Sequence, residues 1–293
     1  MVRHRRRDGP VTTMQKHGHN RMLLSRPLDD SGVNLALELF LRMIRDELGE
    51  SLVSVVLYGS ILFDDLAPGY GDLDFLVVVA GDLDEVTCRR LTDLRAPLRS
   101  GHYGVYGQML EGAFLPVGML APDCPGNGLC WGTSGERAWE KNQLGHFVLH
   151  TIREHGLVIW GEDVRSRIPQ ILRSDILNQL LVGCEATRDH ATPTSLQCLD
   201  FLFTPARELL WLNEGRLSSK SEAADWGYRN AIGAWRHHLP RTKFLRRNPL
   251  AAKYRDVQEW IRGLEPSILE AIDELEDTLK RAIEGDDPTA ASS

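Results

Sequence analysis

Val55 to Val79 reads VVLYGSILFDDLAPGYGDLDFLVVV, and the fold turns on how this stretch is divided. Leu52 to Tyr58 is short and β-branched, which predicts a strand. Gly59-Ser60 breaks it, and Asp64, Asp65, Pro68, Gly69 and Gly71 mark a turn-rich connection. Phe75 to Ala80 is almost continuously apolar, the pattern of a strand buried on both faces. Side chains two apart on a strand point the same way, so Asp72 and Asp74 project together while Leu73 faces the opposite, buried side. Two carboxylates held that close repel one another unless a cation lies between them. Magnesium takes oxygen ligands, typically one or two carboxylates together with substrate phosphates. Upstream, Gly59 allows close backbone approach, and exposed N–H groups with the Ser60 hydroxyl suit a phosphate.

The tetrapeptide Gly-Asp-Leu-Asp recurs at Gly81 to Asp84. This copy follows a strand and opens an amphipathic pattern over Asp82 to Leu98. It is expected to start a helix, with Asp82 as N-cap and Glu85 completing an acidic capping box. A helix is expected over Gly32 to Leu48 and a third strand over Gly107 to Leu115. That strand carries Glu111 between apolar neighbours, an expensive position unless paired or metal-bound.

Residues 121–135 are rich in Gly and Pro and suggest a linker or a loop over a cleft, with Trp131 and Trp139 as possible walls of a pocket. After them helical periodicity dominates: 142–155, 171–190, 195–214, 220–237, 250–264 and 267–284. The expected organisation is a small α/β domain over 27–135 and a helical one over 136–284. A basic arm over 1–26 and a solvated tail over 285–293, both expected to be disordered, flank them.

Composition is that of a globular chain, with 42% hydrophobic and 26% charged residues and no low-complexity block. No apolar run approaches the roughly 20 residues of a membrane helix. The N-terminus lacks the apolar stretch of a secretory signal, so a cytoplasmic protein without a membrane partner is expected. The arm carries Arg3, Arg5, Arg6, Arg7, Lys16, Arg21 and Arg26 against Asp8, which leaves the body more acidic than the formal net charge of −7. An acidic body suits a cationic ligand by steering. Five cysteines without Cys-x-x-Cys spacing argue against a zinc site or a disulfide framework. His146, His150 and Glu154 share a helical face but lack the glutamate of His-Glu-x-x-His. The basic cluster from Arg236 to Arg247 is read as a solvated face, and nucleic acid is not expected as a partner.

Taken together, VVLYGSILFDDLAPGYGDLDFLVVV resembles the signature of the nucleotidyltransferase superfamily. Two further stretches, LEGAFLP (Leu110 to Pro116) and EGRLSSKSEAADWG (Glu214 to Gly227), are similar to segments of the aminoglycoside adenylyltransferases of the streptomycin/spectinomycin-modifying type. The resemblance spans about residues 30 to 280. It implies an α+β fold: an N-terminal domain like the catalytic domain of DNA polymerase beta, with a mixed sheet, followed by an all-α C-terminal domain.

The resemblance also implies roles. Asp72 and Asp74 would bind magnesium and the nucleotide triphosphate, with Gly59 and Ser60 holding phosphates. Glu111 would stand as third acid, metal ligand and general base. Lys220 would contact the nucleotide, and Arg207 falls where the family also has an arginine. The implied co-substrate is ATP with Mg2+, the implied acceptor a hydroxyl of a cationic antibiotic, and the implied state a monomer. In one position the chain departs from the pattern. Where the resemblance implies an acid after the lysine in enzymes acting on streptomycin, this chain has Ser221 and then Glu222, which leaves spectinomycin or another acceptor. A protein or RNA acceptor, and a nucleotide-binding regulator without transfer, are the competing readings.

Overall fold

A computed structural model describes residues 23–286. The basic arm lies outside the described residues up to Met22, and the tail from residue 287 onward. Residues 23 and 24 are tied down, their N–H groups donating to Glu38 Oε1. The tail expectation also began two residues early, because the last helix runs through Asp286.

In chain order the elements are α1 (Ser31–Leu48), β1 (Leu52–Tyr58), β2 (Leu73–Val79), α2 (Glu85–Arg99), α3 (Val105–Gln108), β3 (Leu110–Pro116), β4 (Pro125–Gly132), β5 (Gly135–Lys141), α4 (His146–His155) and β6 (Leu157–Gly161). Then come α5 (Arg173–His190), α6 (Asp200–Glu214), α7 (Lys220–Asn230), α8 (Leu239–Arg247), α9 (Arg255–Arg262) and α10 (Glu265–Asp286), with 3-10 turns between several of them. The six strands form one mixed sheet ordered β5-β4-β3-β2-β1-β6. Only β2 and β3 run parallel; α2 makes the crossover between them.

Strand periodicity sorts the sheet's two faces. Val55, Leu57, Leu73, Phe75, Val77, Leu110 and Phe114 pack with Phe40, Leu41 and Ile44 of α1 and Leu91 of α2. Val56, Leu76, Val78, Ala113 and Leu115 face the other way, into the core built by α4 to α10. By the same alternation Asp72, Asp74 and Glu111 belong to the face that meets the helices.

Several sequence expectations change. The 121–135 stretch is not a loop: its second half is β4, hydrogen-bonded to both β3 and β5. Its glycines made it look like a turn, yet Gly128 fits a close approach, since a Cβ there would stand 3.0 Å from Phe114 O. The sheet therefore extends past residue 135, through β5 and β6. β6 follows α4 and falls in the gap between two expected helices, within the stretch expected to be all-helical. The third strand starts at Leu110, because residues 105–108 form a helical turn. The second Gly-Asp-Leu-Asp does start a helix, but Asp84 is the N-cap, accepting from Thr87 N. Asp82 accepts a longer bond from Asn127 N instead. Among the described residues no helix is long and apolar enough to cross a membrane.

Candidate active site

Two connections from opposite parts of the chain meet over the helix-facing side of β1 and β2. The first leaves β1 at Tyr58 and winds as a 3-10 turn over Gly59–Phe63 before β2 begins. Gly59 has φ +73, and a Cβ added there would lie 2.0 Å from Asp74 Oδ2. Only glycine lets this backbone pass so close to the carboxylate. Ser60 Oγ donates to the backbone oxygen of Asp72 at 3.3 Å, fastening the turn to the start of β2. The second connection joins α6 to α7, where Ser219 caps α7 and Lys220 opens it.

Between them lies a cleft of about 230 Å³. Gly59, Ser60, Asp72, Asp74, Arg207 and Lys220 all line it, so six of the residues singled out in the sequence converge. Glu111 is near but apart. It pairs in register with Asp74, which in turn pairs with Tyr58, but it does not line the cleft. Its Oε2 accepts from Thr133 Oγ1 at 3.0 Å, and its Oε1 stands 3.5 Å from Arg95 Nη2 and 4.0 Å from Arg99 Nη2.

The electrostatics are those of crowded acids. Burial, and after it the Glu111 charge, pushes Asp72 up to about 6. Burial and then Asp72 push Asp74 up to about 7. Glu111 is also raised by burial, with Thr133, Arg95 and Arg99 pulling the other way. Among the described residues no side chain donates a hydrogen bond or forms an ion pair with the carboxylate of Asp72 or Asp74. Carboxylates with oxygens left over and cationic side chains held at a distance fit a hard divalent cation. No group of three or more His, Cys, Asp or Glu side chains among the described residues is assembled to hold a metal ion. The fit is thus to a pair of carboxylates, with further oxygens coming from a ligand.

Sequence reasoning missed three contributors. Asp200, at the head of α6, accepts from Lys220 Nζ at 2.7 Å and from Tyr70 Oη at 2.9 Å. Lys220 also sits 5.6 Å from the Tyr70 ring centroid. An acid seven residues before Arg207 on the same helix was the available signal. Ser218 and Arg246 of α8 also line the cleft; Arg246, 1% exposed, departs from the solvated face expected for the Arg236 to Arg247 cluster. Trp131, by contrast, belongs to the opposite core, 1% exposed against Phe40, Phe75 and Phe114, and does not line this cleft. Trp139 lies in the core between sheet and helices and does not line the cleft.

Arg95 is the hidden support of this corner. It is 1% exposed, donates to Gly132 O and Glu136 Oε1 at 3.0 Å each, and lies 5.6 Å from the Trp131 ring centroid. Replacing it by leucine strands the half-buried Glu111 and Glu136 together. We expect Arg95→Leu to destabilise the fold by about 3–5 kcal/mol in urea unfolding, the scale of a broken buried ion pair. A loss below 1 kcal/mol would mean that solvent replaces the guanidinium.

No protein-family model matches the chain, and no curated protein matches it by sequence. Among solved structures it is similar to the spectinomycin adenyltransferase AAD(9) from Enterococcus faecialis, solved with ATP and spectinomycin. The two share 16% identity with a TM-score of 0.59, over 84% of this chain and 98% of that one. The likeness is one of fold, and it runs through both the sheet and the helices.

Proposed function

We propose that the protein transfers AMP from ATP to a hydroxyl of a cationic aminocyclitol or aminoglycoside antibiotic, in a magnesium-dependent reaction. The observation that carries this reading is the meeting of Asp72 and Asp74 with Lys220 and Arg207 across one cleft. Unpartnered carboxylates face cationic side chains there, which suits a metal-bound polyphosphate lying between them.

In this reading Asp72 and Asp74 hold the magnesium ion, which neutralises charge on the triphosphate when bound. Gly59 and Ser60 cradle phosphate oxygens, and Lys220 and Arg207 grip the triphosphate from the helical side. The acceptor oxygen attacks the α-phosphorus, the bond to pyrophosphate breaks, and Glu111 takes the hydroxyl proton. Spectinomycin is favoured over streptomycin because Ser221 replaces the expected acid, and because the AAD(9) structure holds spectinomycin.

The test is pyrophosphate release from ATP and magnesium with spectinomycin and streptomycin, comparing wild type with Asp72→Asn and Asp82→Asn. Drug-dependent release that survives Asp82→Asn and vanishes in Asp72→Asn is the expected result. Release with at least one drug of the panel is required to keep the reading; its absence with all drugs turns the search to protein or RNA acceptors. A second readout concerns the base. Burial raises the Glu111 pKa and Arg95 opposes that rise. Conservative loss of charge in Arg95→Gln should therefore move the acidic limb of kcat/KM to higher pH. An unmoved limb would mean that Glu111 does not set it.

A further inference from the structure

Two residues of the cleft carry donors that the protein itself does not use. Ser218 is 2% exposed and its hydroxyl has no hydrogen-bond partner. Arg246 is 1% exposed; its Nε has no hydrogen-bond acceptor, and its Nη1 has only an ion-pair contact. Both residues line the cleft beside Lys220 and Arg207. Buried donors of native proteins are nearly always satisfied, so two orphans on one wall call for an acceptor from outside the chain.

Asp65 supplies it only in part. Arg246 Nη2 donates to the backbone oxygen of Asp65, and Nη1 stands 3.1 Å from Oδ1 as an ion pair. The same carboxylate, 5% exposed, accepts from Ser221 N at 3.0 Å and Ser221 Oγ at 2.7 Å, and Arg247 Nη2 lies 3.6 Å away. One acid is therefore divided between two guanidiniums and a serine. Asp65 belongs to the same connection as Gly59 and Ser60, whereas its partners open α7 and end α8. It fixes where the Arg246 guanidinium stands relative to the sheet, and leaves part of its charge and its Nε available.

We propose that Ser218 and Arg246 are additional polyphosphate-binding residues, with Asp65 positioning Arg246. The ligand class is a chain of phosphates, for which a guanidinium fork and a rotatable hydroxyl are suited donors. Identifying that chain as the triphosphate of ATP rests on the transfer reading above.

The experiment measures binding of inorganic tripolyphosphate and of ATP, each with magnesium, by calorimetry, alongside thermal unfolding. Ser218→Ala removes a hydroxyl that holds nothing in the fold. Its unfolding midpoint should stay or rise, while affinity for both probes falls about tenfold, the value of a hydrogen bond to a charged group. Arg246→Gln should weaken both probes more, and Asp65→Asn should raise KM for ATP with a smaller change in kcat. Should Arg246→Gln fail to fold, Ser218→Ala still decides. Unchanged tripolyphosphate affinity in Ser218→Ala overturns the proposal. Wild-type binding of tripolyphosphate without AMP transfer to any acceptor would keep this site and sink the transfer reading. Transfer with variants of unchanged affinity would do the reverse.

Discussion

Asp72→Asn and Asp74→Asn are each expected to lower kcat/KM by about 10³-fold, roughly 4 kcal/mol at 1.4 kcal/mol per tenfold, while the fold stays intact. The two acids cost the empty protein something. Each has a folded pKa above the ordinary 3.8, about 6 for Asp72 and about 7 for Asp74. A raised carboxylate pKa means that the native state binds protons more tightly than the unfolded chain. Their contribution to stability is therefore complete below pH 3.8 and is lost as pH rises through 6 to 7. Both asparagine variants should melt at or above the wild-type temperature at pH 8 without metal. On the proposed reading magnesium binds the ionised form, so it should raise the wild-type midpoint more at pH 8 than at pH 5, and neither variant should show that difference. A variant that unfolds earlier at pH 8 would mean the carboxylates hold structure rather than a cation.

Gly59→Ala is expected to be nearly as damaging, through geometry alone. The new Cβ would fall 2.0 Å from Asp74 Oδ2, and residue 59 sits at φ +73, where an L side chain is strained by about 1–2 kcal/mol. Either the turn or the Asp74 side chain must shift. A displacement of about 1 Å at a reacting centre costs about 100-fold in rate. Gly81→Ala is the matched control from the second Gly-Asp-Leu-Asp, since a Cβ there meets nothing within 4 Å. We expect it to be neutral in both activity and stability. Equal effects at 59 and 81 would show that the close approach of Gly59 to Asp74 has no functional weight.

The central strands were legible because their patterns are local. β1 was read at its observed bounds, and the continuous apolar run gave β2 to within two residues. The outer strands were not. β4 mixes three glycines and a proline with Leu129 and Trp131, and its hydrogen bonds go to β3 and β5 rather than to anything in its own sequence. β6 is five residues long and directly follows a helix. At the cleft, Asp72, Asp74, Gly59, Ser60, Lys220 and Arg207 announced themselves through spacing and resemblance. Asp200 and Arg246 did not, because their meaning lies in what stands across from them after folding. Asp65 looked like one more turn residue and is instead bonded to Ser221.

That bond also accounts for the departure at position 221. An acid there would face a 5% exposed carboxylate at hydrogen-bond distance, and like charges so placed would open the joint. Ser221 donates where an acid would repel.

The pairing of β6 with β1 also sets the order in which this chain can mature. A polypeptide leaving the ribosome N-terminus first presents β1 with a free edge until residue 161 has emerged. Val55, Val56 and Leu57 on that edge are fully shielded in the finished sheet. During synthesis they form an apolar strand open to pairing with another nascent chain. α4, sitting between β5 and β6, delays the closing strand by its own length. The interval of greatest aggregation risk is thus written into the topology, and slow translation between codons 135 and 161 should lower the soluble yield.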